Sequence, residues 1–169
     1  MGSYITSFWW GGDPDVPDPL SGMSRRDIYT VQTSWAKLNV HSAIYGMELF
    51  IRLFRKDPHT QTFFKNIEGL PEEKIRKKVL FKAHVQNLMS SFNTAVVNLN
   101  EPEVVAALMN KLGDSHHARQ VEVQHFETFK DVLVDFLRND VNLNPAALDS
   151  WDRFVDFIYR HIFERLKDL

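Results

Sequence analysis

Apolar residues along this chain recur at intervals of three and four, the spacing of one helix face. Ile28, Val31, Trp35 and Leu38 form one such run, and Ser24-Arg25-Arg26-Asp27 ahead of it has the capping-box pattern of a helix start. A second run, Ala43 to Phe54, carries Leu49 and Leu53 before Asp57-Pro58 interrupts it. Three further helices are predicted to open on a proline at or near the first turn, where the missing amide costs nothing. Pro71 opens a long one to about Leu99, and Pro102 a short one that ends near His116. Pro145, behind Asn144 as N-cap, opens the last, to about Lys167. Another helix spans about Glu122 to Arg138. In the last helix Leu148, Trp151, Val155, Ile158 and Ile162 repeat at helical spacing, so one face packs on a core. No alternating strand pattern and no internal repeat occurs. The predicted class is all-α.

Residues 1–23 break this pattern. Asp13-Pro14-Asp15-Val16-Pro17-Asp18-Pro19 follows Gly11-Gly12 and precedes Gly22. Each proline removes an amide donor and pushes its predecessor out of helical space. The expected division is a flexible N-terminal extension over 1–23 and one folded domain over 24–169.

Composition narrows the classes. The 169 residues are 44% apolar and 25% charged, as in an ordinary soluble domain. Net charge is −2 and no long basic block occurs, so no nucleic-acid partner is expected. The absence of cysteine excludes disulfides, thiolate metal sites, iron–sulfur clusters and cysteine nucleophiles. It fits a reducing compartment. No signal-peptide pattern opens the chain, and no apolar run approaches the ~20 residues that span a bilayer.

Two histidines stand where leucines are expected. In the helix after Pro71 the apolar positions Phe81, Leu88, Phe92, Ala95 and Leu99 define a stripe, and a step of three from Phe81 lands on His84. In the short helix Val105, Leu108 and Leu112 lead to His116 at the same intervals. Burying an imidazole among leucines without a partner costs about 1–3 kcal/mol. For a single inward histidine, a bond to a backbone carbonyl or a water is the plainer reading. Two on separate helices, without a matching buried carboxylate, point instead to metal ligation, for which neutral imidazole is the commonest donor. Two histidines cannot complete a zinc site, which takes three or four protein ligands. A haem brings four equatorial nitrogens and needs only axial ligands, and its flat apolar ring suits walls of leucine and phenylalanine.

From Ser24 to Leu169 the chain resembles the globins. Asp27 to Trp35 is similar to the family's first helix with its tryptophan, and Tyr45 to Phe54 with Asp57-Pro58 to its second helix and the following turn. Phe64 falls where the family has its haem-stacking phenylalanine. Lys82-Ala83-His84-Val85 resembles the distal segment and Leu112-Gly113-Asp114-Ser115-His116 the proximal one, while Trp151 with Phe154-Val155 fits the last helix. The spacing between the two histidines is longer than in myoglobin and is neuroglobin-like or globin X-like.

The resemblance implies a globin fold of six to eight helices around a haem pocket, with haem b (iron protoporphyrin IX) as cofactor. His116 is then the proximal iron ligand, and His84 is the distal residue or a second ligand. Phe50 and Leu88 would line the distal side, with Phe64 against the ring and Phe81 among the cofactor-binding residues, and Leu112, Val121 and Phe126 the proximal side. All of these are equally at home as plain core. Arg119 is the candidate to reach a haem propionate, with an ordinary surface arginine as the alternative. His117 is rotated about 100° from His116 and reads as solvated. His41, His59, His125 and His161 read as solvent-facing or capping residues.

The implied function is reversible binding of oxygen or another diatomic gas at ferrous iron, for storage or transport. The alternatives are redox work with a reductase partner (electron transfer, nitrite reduction, nitric oxide removal) or a sensor or interaction module. Enzymatic activity is left open. Met1-Gly2-Ser3-Tyr4-Ile5-Thr6 satisfies the N-myristoylation pattern. A single acyl chain binds membranes only marginally, so Gly2 offers at most a weak tether, with Phe8-Trp9-Trp10 adding interfacial affinity. The expected location is cytoplasmic, with membrane association as the variant. Oligomeric state is not legible.

Overall fold

The computed structural model describes residues 13–167. Of the flexible extension expected over 1–23, residues 1–12, with Gly2 and Phe8-Trp9-Trp10, lie outside the described residues. Seven α-helices and one 3-10 helix follow one another, with no strand among the described residues.

The first helix, α1 (Arg25–Asn39), starts where the capping box sets it. The Ser24 hydroxyl accepts from the Asp27 amide at 3.2 Å, and the Asp27 carboxylate accepts from the Ser24 amide at 2.9 Å. The other Asp27 oxygen takes Ser150 at 2.7 Å and Arg153 at 2.9 Å, which ties this helix start to the last helix. Upstream, residues 13–23 pack rather than trail away. The Asp18 carboxylate accepts from the Leu20 and Ser21 amides, Gly22 takes φ +72° in the turn, and Met23 is 1% exposed. The prolines and aspartates that resemble a loose leader serve here as turn residues.

Helix α2 (Ser42–Lys56) ends at Asp57, whose side chain caps the 3-10 helix (Pro58–Phe63) by accepting from His59. The helix predicted from Pro71 to Leu99 is split into α3 (Glu72–Ile75) and α4 (Val79–Val97). Ile75 and Phe81 are both buried. On one continuous helix, six residues apart, they would point about 120° away from each other. The break over 76–78 rotates the frame so that both reach the core.

Helix α5 (Pro102–His117) packs chiefly on α7 (Pro145–Glu164) and touches α4 little. A Cβ on Gly113 would stand 2.8 Å from the Ile162 carbonyl oxygen and 2.8 Å from Arg165 Cβ, so only glycine permits this approach. Helix α6 (Val123–Asn139) completes the bundle, and the buried Trp151, Phe154, Phe157 and Ile162 centre the core on α7.

Candidate functional site

Helices α4 and α5 each carry two apolar rows. On α4 the fully buried row is Phe81, Val85, Met89 and Phe92. His84 and Leu88 lie on the row beside it, with His84 exposed and Leu88 half-buried. On α5 the buried row is Val105, Met109 and Gly113, and Leu108, Leu112 and His116 form a half-buried row beside it. His84 therefore sits on the rim of the core rather than in its interior. The step of three from Phe81 selects the rim row, while packing selects the row through Val85. The two rim rows border a recess between splayed helices. An open cleft of about 420 Å³ continues from it, lined by Asn87, Ser91, Leu108, Leu112 and Ser115 among others.

His84 stands against three phenylalanines. Its ring centroid is 4.7 Å from Phe64, 5.3 Å from Phe50 and 6.2 Å from Phe81. Phe64 closes edge-on against Phe50 and Phe81, and Phe54, unassigned by sequence reasoning, completes the cluster 5.6 Å from Phe64. The i, i+4 pair Phe50–Phe54 was the available signal for it. Across the recess, His116 packs on Phe126 with centroids 5.1 Å apart. Tyr159, also unassigned, fixes that wall by donating from its hydroxyl to the Phe126 carbonyl at 2.8 Å. Val121 is half-buried, and its amide donates to the His116 carbonyl at 3.1 Å.

His116 Nδ1 lies 2.8 Å from the Leu112 carbonyl oxygen. A carbonyl only accepts, so Nδ1 carries the proton and Nε2 keeps its lone pair. Burial lowers the pKa of His116, the Leu112 bond opposes that partly, and the Arg119 charge adds to it. Burial likewise lowers the pKa of His84, helped by the charges of His116 and Arg119. His84 is exposed to solvent and yet crowded enough to be desolvated, as a ring in a concave recess is. Both shifts favour the neutral imidazole, the form that donates to a metal. Arg119 itself is exposed, and its guanidinium donates to the Ser115 carbonyl.

Of the ten sequence-predicted site residues, Phe50, Phe64, Phe81 and His84 are brought into one ring cluster, and His116 touches Leu112, Val121 and Phe126. Leu88 lies half-buried on the row of His84, and Arg119 is exposed. Among the described residues no group of three or more histidine, cysteine, aspartate or glutamate side chains is placed to hold a metal ion. The other histidines depart in part from expectation. His41 and His59 are exposed, and His125, though buried, is a capping residue at the start of α6, its Nδ1 accepting from the Glu122 amide at 3.0 Å. His117 is half-buried with Nδ1 unpartnered, and His161 is buried with neither ring nitrogen hydrogen-bonded. No helix among the described residues is long and apolar enough to cross a membrane.

Known proteins share this architecture. Cytoglobin-2 of Danio rerio is 25% identical over 150 residues, covering 86% of this chain and 82% of the relative. A hexa-coordinate haemoglobin of Drosophila melanogaster superposes with a TM-score of 0.78 at 21% identity, over 83% of this chain and 94% of that one. A hexacoordinated haem protein from an anhydrobiotic tardigrade gives a TM-score of 0.80 at 16% identity, over 89% and 99%. The family model described as Globin matches residues 47–162, more than half of the sequence, and so the chain belongs to the globin family.

Proposed function

We propose that this globin holds haem b between His116 and His84 and reversibly binds oxygen or another diatomic gas. The observation that carries the reading is the His116–Leu112 hydrogen bond, which leaves Nε2 of a neutral imidazole free as a donor. The surroundings fit a flat apolar ring. Phe64, Leu88, Leu108, Leu112 and Phe126 pack on the core yet keep part of their surface towards the recess. Haem b is the form that a chain without cysteine accommodates, since no thioether attachment can form. When bound, the haem supplies the iron at which a gas coordinates.

The protein's own side chains account for the rest. His116 holds its donor nitrogen towards the recess, and its pairing with Leu112 fixes the ring's rotation. The phenylalanines around His84 form an apolar wall on that side and offer no hydrogen bond of their own. His84 is then the donor available to a bound gas, or itself an axial ligand. Arg119, exposed near His116, is the guanidinium that would pair with a haem propionate.

A second reading is redox work, with His84 and His116 both held on the iron. It is supported by the burial that lowers the pKa of His84 and so favours its ligating form, and by the six-coordinate character stated for the Drosophila and tardigrade proteins. An anaerobic absorption spectrum of the dithionite-reduced protein separates the two. A broad single visible band marks five-coordinate iron and the gas-binding reading, while two sharp bands mark ligation by both histidines. Absence of a Soret band after haem addition overturns both.

A further inference from the structure

Charge is segregated along this chain. Between Glu73 and Glu101 there is no carboxylate, and Lys74, Arg76, Lys77, Lys78 and Lys82 all fall in that stretch, although the whole chain has a net charge of −2. Arg76 is neutralised by Glu48 and Glu72. Lys74, Lys77, Lys78 and Lys82 are exposed and make no ion pair among the described residues. Acids elsewhere are paired, Asp131 with Lys56 and Asp152 and Asp156 with Lys130. The four lysines are thus a local patch of uncompensated positive charge at the α3–α4 corner.

That corner also carries unburied apolar surface. Val79 is 76% exposed and Leu80 72%, on consecutive positions between Lys78 and Lys82, and Ala83 is exposed beside them. On α4, Leu80, His84 and Asn87 share one row, at the outer lip of the recess. Val79 and Ala83 form the next row outward, and Lys78 and Lys82 the far margin. An apolar centre with a rim of one charge sign is the anatomy of a transient protein interface.

We propose that this face docks an acidic protein partner, an electron-donor domain, against the His84 side of the recess. That the partner is an electron donor rests on the haem reading; that it is acidic rests on the surface alone. Four uncompensated lysines steer a negatively charged surface towards the corner. Val79 and Leu80 then meet its apolar centre next to the lip that His84 and Asn87 form. Proximity to that lip favours a donor protein over an anionic bilayer, which would gain nothing from lying beside the recess.

The test is a calorimetric titration of the full-length haem-loaded protein with two acidic one-electron carriers, the soluble domain of cytochrome b5 and a flavodoxin. Binding to at least one of them should weaken as salt is raised. Lys77→Glu/Lys78→Glu/Lys82→Glu should lower the affinity by at least about tenfold, and Leu80→Ser by several fold, with circular dichroism unchanged. Lys37→Glu, an equal kind of charge change on α1, should leave it intact. Binding of neither carrier, equal binding by the triple variant, or an equal loss with Lys37→Glu overturns the proposal. So does lysine-dependent sedimentation with phosphatidylserine vesicles when neither carrier binds, which assigns the face to a membrane. The Soret band is scored separately. A chain without it that still binds through these lysines sinks the haem reading and keeps the acidic docking face.

Discussion

His116 Nδ1 points at the Leu112 carbonyl oxygen, 2.8 Å away and one turn back on α5. The helix thus orients its own terminal histidine without help from another element. An acceptor at Nδ1 sets the tautomer and raises the basicity of Nε2, the arrangement by which a second-shell group tunes a metal ligand. Gly113 lets α5 lie directly on α7, so the histidine, its acceptor and the helix that carries both move as a unit.

Replacing His116 should therefore remove haem retention. His116→Ala is expected to lose haem faster by more than the ~10–100-fold that loss of an outer-shell partner alone costs. The rate is read from transfer of haem to an excess of an acceptor globin. His116→Gly should regain a histidine-type spectrum when imidazole is added. Retention of an unaltered spectrum by His116→Ala would show that another group is the ligand.

His84 has ring contacts with Phe50, Phe64 and Phe81 and no hydrogen-bond acceptor among them. His84→Leu should keep the haem and abolish any six-coordinate ferrous spectrum. Gas bound in its place loses one hydrogen bond, so oxygen dissociation should quicken by about tenfold. Laser photolysis of the oxygenated protein measures that rate. An unchanged spectrum together with an unchanged rate would remove His84 from the site.

Much of this was legible in sequence because local rules and tertiary structure agree. Ser24 and Asp27 form the capping box that their spacing announces, and Asn144 caps α7 ahead of Pro145. The split after Pro71 was not legible. No glycine or proline marks residues 76–78, and the break is imposed by burying both Ile75 and Phe81. The row occupied by His84 was ambiguous for a related reason: steps of three and four from Phe81 reach both His84 and Val85, and only packing against α2 decides which row is core. His161 looked like a surface residue, yet it is buried on α7 against Phe157, a placement set by neighbours distant in sequence. Residues 13–23 have the composition of a loose leader, and their turns become visible only with Met23 in the core.

Gly113 offers a test of the coupling between α5 and the helix beneath it. A Cβ there meets a backbone oxygen at 2.8 Å, which cannot rotate away. Gly113→Ala should destabilise the protein by about 1–3 kcal/mol, the usual cost of overpacking, despite the better helix propensity of alanine. Urea unfolding gives the value. Because the displaced segment carries Leu112 and His116, haem loss should quicken as well. A variant as stable as the parent would mean that α5 and α7 are not in contact at this position.

Acid should destabilise the haem-free protein through the two recess histidines. Each has a folded-state pKa below the ordinary 6.5, from burial first and positive neighbours after it, with the Leu112 bond opposing the fall at His116. Well above pH 6.5 both are neutral in the folded and the unfolded chain and contribute no pH dependence. As pH falls below that value the unfolded chain takes up protons first, so stability drops until the folded-state values are passed. Thermal midpoints of the haem-free protein should fall between about pH 7 and about pH 5, and less steeply in His84→Gln/His116→Gln. Arg119→Gln removes one of the charges that depress both groups, raises both folded-state values, and should shallow the slope in the same direction. Equal slopes in the parent and the double variant would place the acid sensitivity elsewhere.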